Sequence, residues 1–228
     1  QVYDNAKVSE DAEVYDDAIV CDNAKVYDNA EVCDYAIVYG DAVVYGDAIV
    51  CGNAQVCGYA RIYGQAQVRD DAEVYGDAVV CGNVLVSDNA KISNNAIVFG
   101  NAQVCGYAWV YDKAKVYDNA QVCGNAMVYG NTEVYDDAKV FEDARIYGKA
   151  RVLDNARVFD YAKVYGNAVI YGDATVKYIY ENAKVKYIFE NATANYIRDK
   201  ATVENICDNA TVKCIRDNAT VISSSYSK

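Results

Sequence analysis

The side chains that could do chemistry in this 228-residue chain are few in kind and regular in place. Nine cysteines offer thiols for metal ligation, disulfide formation or nucleophilic attack. Seven of them, Cys21, Cys33, Cys51, Cys57, Cys81, Cys105 and Cys123, each directly follow a valine. The 33 Asp and Glu side chains offer general bases, and the 23 tyrosines offer rings and hydroxyls. Histidine is absent, and no two cysteines stand in a CxxC pair. A zinc site of the usual kind therefore lacks its ligands, and neither a metal nor a cofactor is expected. The carboxylates recur at fixed places in a repeated pattern, where solvated turn residues account for them, so no catalytic residue is expected either.

The elements that must position these groups follow from a period of six. Val or Ile stands at every sixth position from Val2 to Val176, 30 positions in all, with isoleucine at Ile62, Ile92, Ile146 and Ile170. Two residues before each one after the first comes a small residue, alanine at 27 of 29 places, with Val84 and Thr132 the exceptions. Internal repetition of this strictness decides the fold before any other signal. Ala-x-Val alternates as a strand does, so both side chains point to one face. The Asp/Gly and Asn/Asp pair that follows is turn chemistry, because Gly and Asn tolerate positive φ and Asx side chains bond nearby backbone. Each hexad is then a short strand ending in a corner. A chain that corners every six residues with each valine inward must coil, and strands of successive coils share parallel hydrogen bonds. The expected class is all-β, a parallel β-solenoid.

The hexad resembles that of the bacterial hexapeptide-repeat superfamily, over residues 2 to 176. The resemblance implies a left-handed, triangular parallel β-helix of about 18 residues per coil. One departure is plain: the residue after the aliphatic one, commonly small in that family, is here mostly Tyr, Cys, Ser or Phe. Acyltransferases of the family use a histidine base and its carbonic anhydrases use histidine ligands. Neither role carries over to a chain without histidine. No excursion loop interrupts the hexads either, and such loops are where a pocket would be built. The resemblance therefore points to a non-catalytic repeat member, not an enzyme.

With that coil length, residues 18 apart stack at roughly 4.8 Å. Cys33 lies over Cys51 and Cys105 over Cys123, within disulfide reach although parallel side-chain directions oppose the bond; the odd total leaves a thiol free. Tyr111, Tyr129, Tyr147 and Tyr165 follow one another on one corner, either stacking to stiffen the rod or offering platforms to a glycan. Stacking is the favoured reading, and Asn83, Asn101 and Asn119 are expected to form a similar ladder. On the outward strand positions, Ile19 over Ile37 and Trp109 over Met127 are candidates for lateral contacts, with Val43, Val79, Ile97 and Val169 along another face. Lys139, Arg145, Arg151, Arg157 and Lys163 would wind round the rod as a basic belt, a docking ring for an acidic end such as Glu10, Asp11, Glu13, Asp16 and Asp17. A solvated face is the plainer account of the belt.

After Val176 the unit lengthens by three, as in "KYIYENAKV" and "KCIRDNATV". Wider coils built from three such nonapeptides, or two nonapeptide sides per coil of unchanged length, both fit, and in either case the cross-section should change there. The expected division is residues 1–176 in hexads, 177–221 in nonapeptides continuing the solenoid, and 222–228 as a disordered tail.

A net charge of −12 argues against nucleic acid and anionic membranes as partners, and no apolar run is long enough to cross a bilayer. The chain opens on Gln1, so the compartment is unknown; free thiols lean toward a reducing one and a fibre role toward the cell surface. With open solenoid ends prone to edge-to-edge association, the expected function is a structural rod whose partner is another copy of itself, stacked end to end into a filament or forming a fibre shaft. The alternative is a carbohydrate-binding module using the tyrosine columns, and the least favoured is an acyltransferase-like enzyme without histidine.

Overall fold

The computed structural model describes residues 1–179 and, beyond them, the strand segments 184–185, 187–188, 193–197, 202–204, 211–215 and 220–222. Nearly every hexad yields one strand of two residues, beginning with Lys7–Val8, Glu13–Val14 and Ile19–Val20. A strand this short forms because its neighbours on both sides are identical in kind. All pairings are parallel and join positions one coil apart: Lys7 opposes Lys25, Glu13 opposes Glu31, and Ile19 opposes Ile37. The strands sort into sheets of eleven, twelve and nine members. The protein is an all-β parallel β-solenoid with three sides to each coil, as the hexads led us to expect. Its corner side-chain bonds share a sequence separation of 18, from Asn29 to Asp47 and again from Asn155 to Asp173.

The corners are made by the residue two places after each inward aliphatic residue. From Asp4 to Gly172 every sixth residue has positive φ, between 53° and 60° for the non-glycines and between 69° and 84° for the glycines. An L-residue in this region carries a penalty of about 1–2 kcal/mol, which Asp offsets with its short side chain. The carboxylate of Asp22 accepts the amide of Gly40 at 2.9 Å, one coil on, and Asp88 accepts that of Gly106 at 2.9 Å. The second corner residue supplies the other rungs. Its backbone amide reaches the corner carbonyl of the next coil, as from Asn5 to Asp22 at 2.8 Å. Its side chain continues the line, as from Asn29 Nδ2 to Asp47 Oδ1 at 3.1 Å. Coils run so close here that a Cβ on Gly124 would sit 2.7 Å from the amide nitrogen of Glu142.

The core is a single column. From Ala18 to Val176 every inward alanine, valine and isoleucine is at most 1% exposed. Val84 and Thr132 occupy alanine slots and are equally buried, and the Thr132 hydroxyl has no hydrogen-bond partner there. In the first coil Ala6, Val8, Ala12 and Val14 lie against the column but are only partly buried.

In the nonapeptide segment the pairing offset does not change. Thr175 opposes Thr193, which opposes Thr211, and Lys184 opposes Thr202, which opposes Thr220. Coils built from three nonapeptides are thereby excluded. Two nonapeptides fill one coil, and strands grow to five residues, as in Thr175–Ile179 and Thr193–Ile197. The twelve-stranded sheet runs on through this segment, while the nine-stranded sheet ends at Lys163–Val164 and a separate three-stranded sheet begins at Lys184–Val185. The eleven-stranded sheet also reaches past Val176, where Tyr187–Ile188 lies opposite Val169–Ile170. The strand Thr220–Ile222 reaches one residue into the expected tail; the rest of that tail lies outside the described residues. Among the described residues no helix is long and apolar enough to cross a membrane.

Candidate functional site

Because identical hexads stack in register, the residue after each inward aliphatic forms three columns, one per corner edge. The tyrosines singled out from the sequence form one of them. The rings of Tyr111 and Tyr129 lie 4.8 Å apart and within 6° of parallel, those of Tyr129 and Tyr147 5.1 Å apart, and those of Tyr147 and Tyr165 5.0 Å apart. Both faces of Tyr129 and Tyr147 are thus covered by neighbouring rings. Partial burial in the stack raises the phenol pKa of Tyr111, Tyr129 and Tyr165. The surface this ladder shows to solvent is ring edges and hydroxyls.

Further ladders, in the other two columns, went unremarked in the sequence although the same spacing marks them. Phe99, Tyr117 and Tyr135 stack at 4.7 and 4.8 Å, and Tyr27, Tyr45 and Tyr63 at 5.1 and 4.8 Å. Phe141 and Phe159 stack at 4.9 Å in the remaining column. Burial pushes Tyr117 up to about 12. The most exposed aromatic rings are elsewhere: Tyr35, Tyr59, Tyr107 and Tyr161 take the second corner position in place of Asn or Asp and stand 57–68% exposed. The expected asparagine ladder is present, with Asn101 Nδ2 donating to Asn119 at 3.1 Å and Asn119 to Asp137 at 3.1 Å.

The candidate lateral contacts fall on neighbouring strands as expected, Ile19 opposite Ile37 and Trp109 opposite Met127, all half-buried. Trp109 is engaged within its own chain. Its indole N–H donates to Ser93 Oγ at 3.0 Å, and its ring lies 4.5 Å from that of Tyr111. Of the basic belt, Lys139 opposes Arg157 and Arg145 opposes Lys163, like charge on like, while Arg151 opposes Glu133. None of the three ion pairs among the described residues includes any of the five. The Arg157 guanidinium lies 5.7 Å from the Phe141 ring centroid. Grooves run along the corners between ladders; one, of about 530 Å³, is lined by corner residues including Asp77, Asn95, Lys113 and Asn131.

The cysteines divide by column. Cys105 and Cys123 are joined in a disulfide with Cα atoms 4.6 Å apart. Cys57 and Cys81 stack with tyrosines, and their hydrogen bonds raise Tyr39 and Tyr63 to about 12. Cys33 and Cys51 share the column of the disulfide yet are free thiols, and Cys33 is buried. Burial pushes the Cys51 thiol up to about 11, with the charges of Cys33 and Asp34 adding to the shift. The two sulfurs and a carboxylate oxygen of Asp34 all lie within 4.8 Å of one another.

Three stretches, residues 36–52, 90–106 and 120–136, match the family described as YdcK Beta solenoid repeat. This is what those stretches are similar to, and together they span less than a quarter of the chain. No curated protein matches it. Among solved structures it is similar to a UDP-N-acetylglucosamine acyltransferase of Francisella novicida, at 11% identity and a TM-score of 0.34, over 93% of this chain and 62% of that one. A likeness this loose carries no argument about activity.

Proposed function

We propose that this chain is a non-catalytic structural rod, a length of β-solenoid shaft, left-handed as the hexapeptide resemblance implies, that stacks end to end with further parallel coils in a filament or longer fibre. The observation that carries this reading is where the surface side chains are engaged. Corner carboxylates hold the next coil's amides, corner amides hold the next coil's carboxylates, and aromatic rings lie on one another. Groups tied up in this way stiffen the column and are withdrawn from binding small molecules. A second support is the first coil, whose strands have a neighbour on one side only and whose inward Val8 and Val14 are incompletely covered. One more coil of the same register would cover them and pair their free backbone edge, whether it comes from the same chain or a second copy. A contact of that kind is heterologous and propagates.

Negative-stain electron microscopy across a concentration series tests this. Filaments one coil-diameter wide that lengthen with concentration are the expected result, and short monodisperse rods at every concentration would overturn self-assembly. Removal of residues 177–228 should leave a rod that no longer lengthens if the nonapeptide end is the joint. Carbohydrate adhesion is the second reading, favoured by the exposed rings of Tyr35, Tyr59 and Tyr107 and not by the stacked ladder. A glycan array on the wild type and on Tyr107→Ala tests it, with binding that the substitution removes as the expected result.

A further inference from the structure

The column that carries the disulfide holds a second cysteine pair in the same relation. Cys33 and Cys51 stand on adjacent coils, and the amide of Cys33 donates to the Val50 carbonyl at 3.0 Å, as the amide of Cys105 donates to that of Val122 at 3.0 Å. What differs is the corner. Cys105 and Cys123 are each followed by glycine, Gly106 and Gly124, whereas Cys33 is followed by Asp34. Asp34 sits in the left-handed region at φ 58°, and its Oδ2 accepts the amide of Gly52 at 2.9 Å. This bond holds the carboxylate over the adjacent coil, beside both sulfurs. Three donor atoms from two coils therefore converge within 4.8 Å of one another around a thiol, Cys33, that is only 7% exposed.

We propose that Cys33, Asp34 and Cys51 form a binding site for a soft divalent cation of the zinc class, which clips the second coil to the third. Two thiolates and one carboxylate oxygen supply three positions of a tetrahedron, and the open side of the corner leaves the fourth to water. Such ions favour thiolate ligands. The Gly52 amide acts as the orienting partner that keeps the carboxylate in place. On binding, both thiol protons pass to solvent and the ion takes their place, with no change of oxidation state. The expectation that this chain holds no metal rested on the missing CxxC and histidine; here the ligands converge across coils, so no local motif announces them.

Cadmium titration of the full chain, kept reduced with a phosphine that does not bind the metal as a thiol would, tests the site through the ultraviolet sulfur-to-cadmium band and equilibrium dialysis. One tightly held ion per chain is expected. Cys51→Ser should abolish it. Asp34→Gly, which gives this corner the glycine found after Cys105, should keep the fold and weaken binding about tenfold or more. The double substitution Cys105→Ser with Cys123→Ser should leave it unchanged. The proposal is overturned if the wild type binds no ion tightly, if Cys51→Ser still binds it, or if Asp34→Gly binds as well as wild type. Circular dichroism of each variant separates loss of the site from loss of the coil.

Discussion

Cys105 and Cys123 stand one coil apart with Cα atoms 4.6 Å apart, joined by a disulfide that closes a loop of a single coil. A crosslink of this loop size restricts the unfolded chain by an amount worth about 2–4 kcal/mol. Reduction, or Cys123→Ser, should lower stability by that order in urea denaturation under matched conditions. Identical midpoints with and without reductant would mean that the bond contributes nothing to the folded column.

Thr132 occupies an alanine slot with its hydroxyl buried and unpartnered. Thr132→Val removes the stranded hydroxyl at nearly constant volume, and Val84 demonstrates that the slot accepts valine. The gain should be on the order of 1–3 kcal/mol, read as a higher denaturation midpoint at unchanged slope. A loss of stability would indicate that water reaches the hydroxyl.

Gly124 lies at φ 73°, and a Cβ there would meet the Glu142 backbone nitrogen at 2.7 Å. Gly124→Val combines a β-branched residue in the left-handed region with a clash against backbone that cannot swing away. The cost should be at least about 1–3 kcal/mol, and limited proteolysis should cut first in the coils on either side of the substitution. Unchanged protease resistance would contradict the close approach of coils at this corner.

Tyr117 is stacked between Phe99 and Tyr135, and burial pushes its phenol from the ordinary 10.0 up to about 12. The folded-state value is the raised one, so the neutral phenol stabilises the fold fully below pH 10, and that contribution is lost as pH rises through about 12. Stability should therefore fall more steeply across this alkaline window in wild type than in Tyr117→Phe, which keeps a ring in the stack as Phe99 does. Parallel pH profiles for the two proteins would remove the phenol from the account.

The structure also separates what could be read from these residues from what could not. Ala-x-Val at every sixth position made the inward face legible, because strand alternation depends only on neighbours in sequence. The ladder of Tyr111, Tyr129, Tyr147 and Tyr165 was legible once the coil length was taken from the hexapeptide resemblance. The convergence of Cys33, Asp34 and Cys51 was not, because Asp34 is positioned by the Gly52 amide, a partner one full coil away. The assignment of the corner was only half legible. Asp/Gly followed by Asn/Asp announced a turn, and the structure gives the left-handed conformation to the first residue and the amide ladder to the second.

By itself the sequence determined that this chain is a coil of short parallel strands with a valine and alanine core, since a strict six-residue period has no other way to bury every valine. Only the tertiary structure decided which residues meet. Pairing at a constant offset kept 18 residues to the coil in the nonapeptide segment, from Thr175 to Thr193 and from Lys184 to Thr202, and of the two cysteine pairs in one column Cys105 and Cys123 are joined while Cys33 and Cys51 are thiols. The reason is physical: backbone hydrogen bonding between coils fixes the register, and register is a relation between segments that no single repeat encodes.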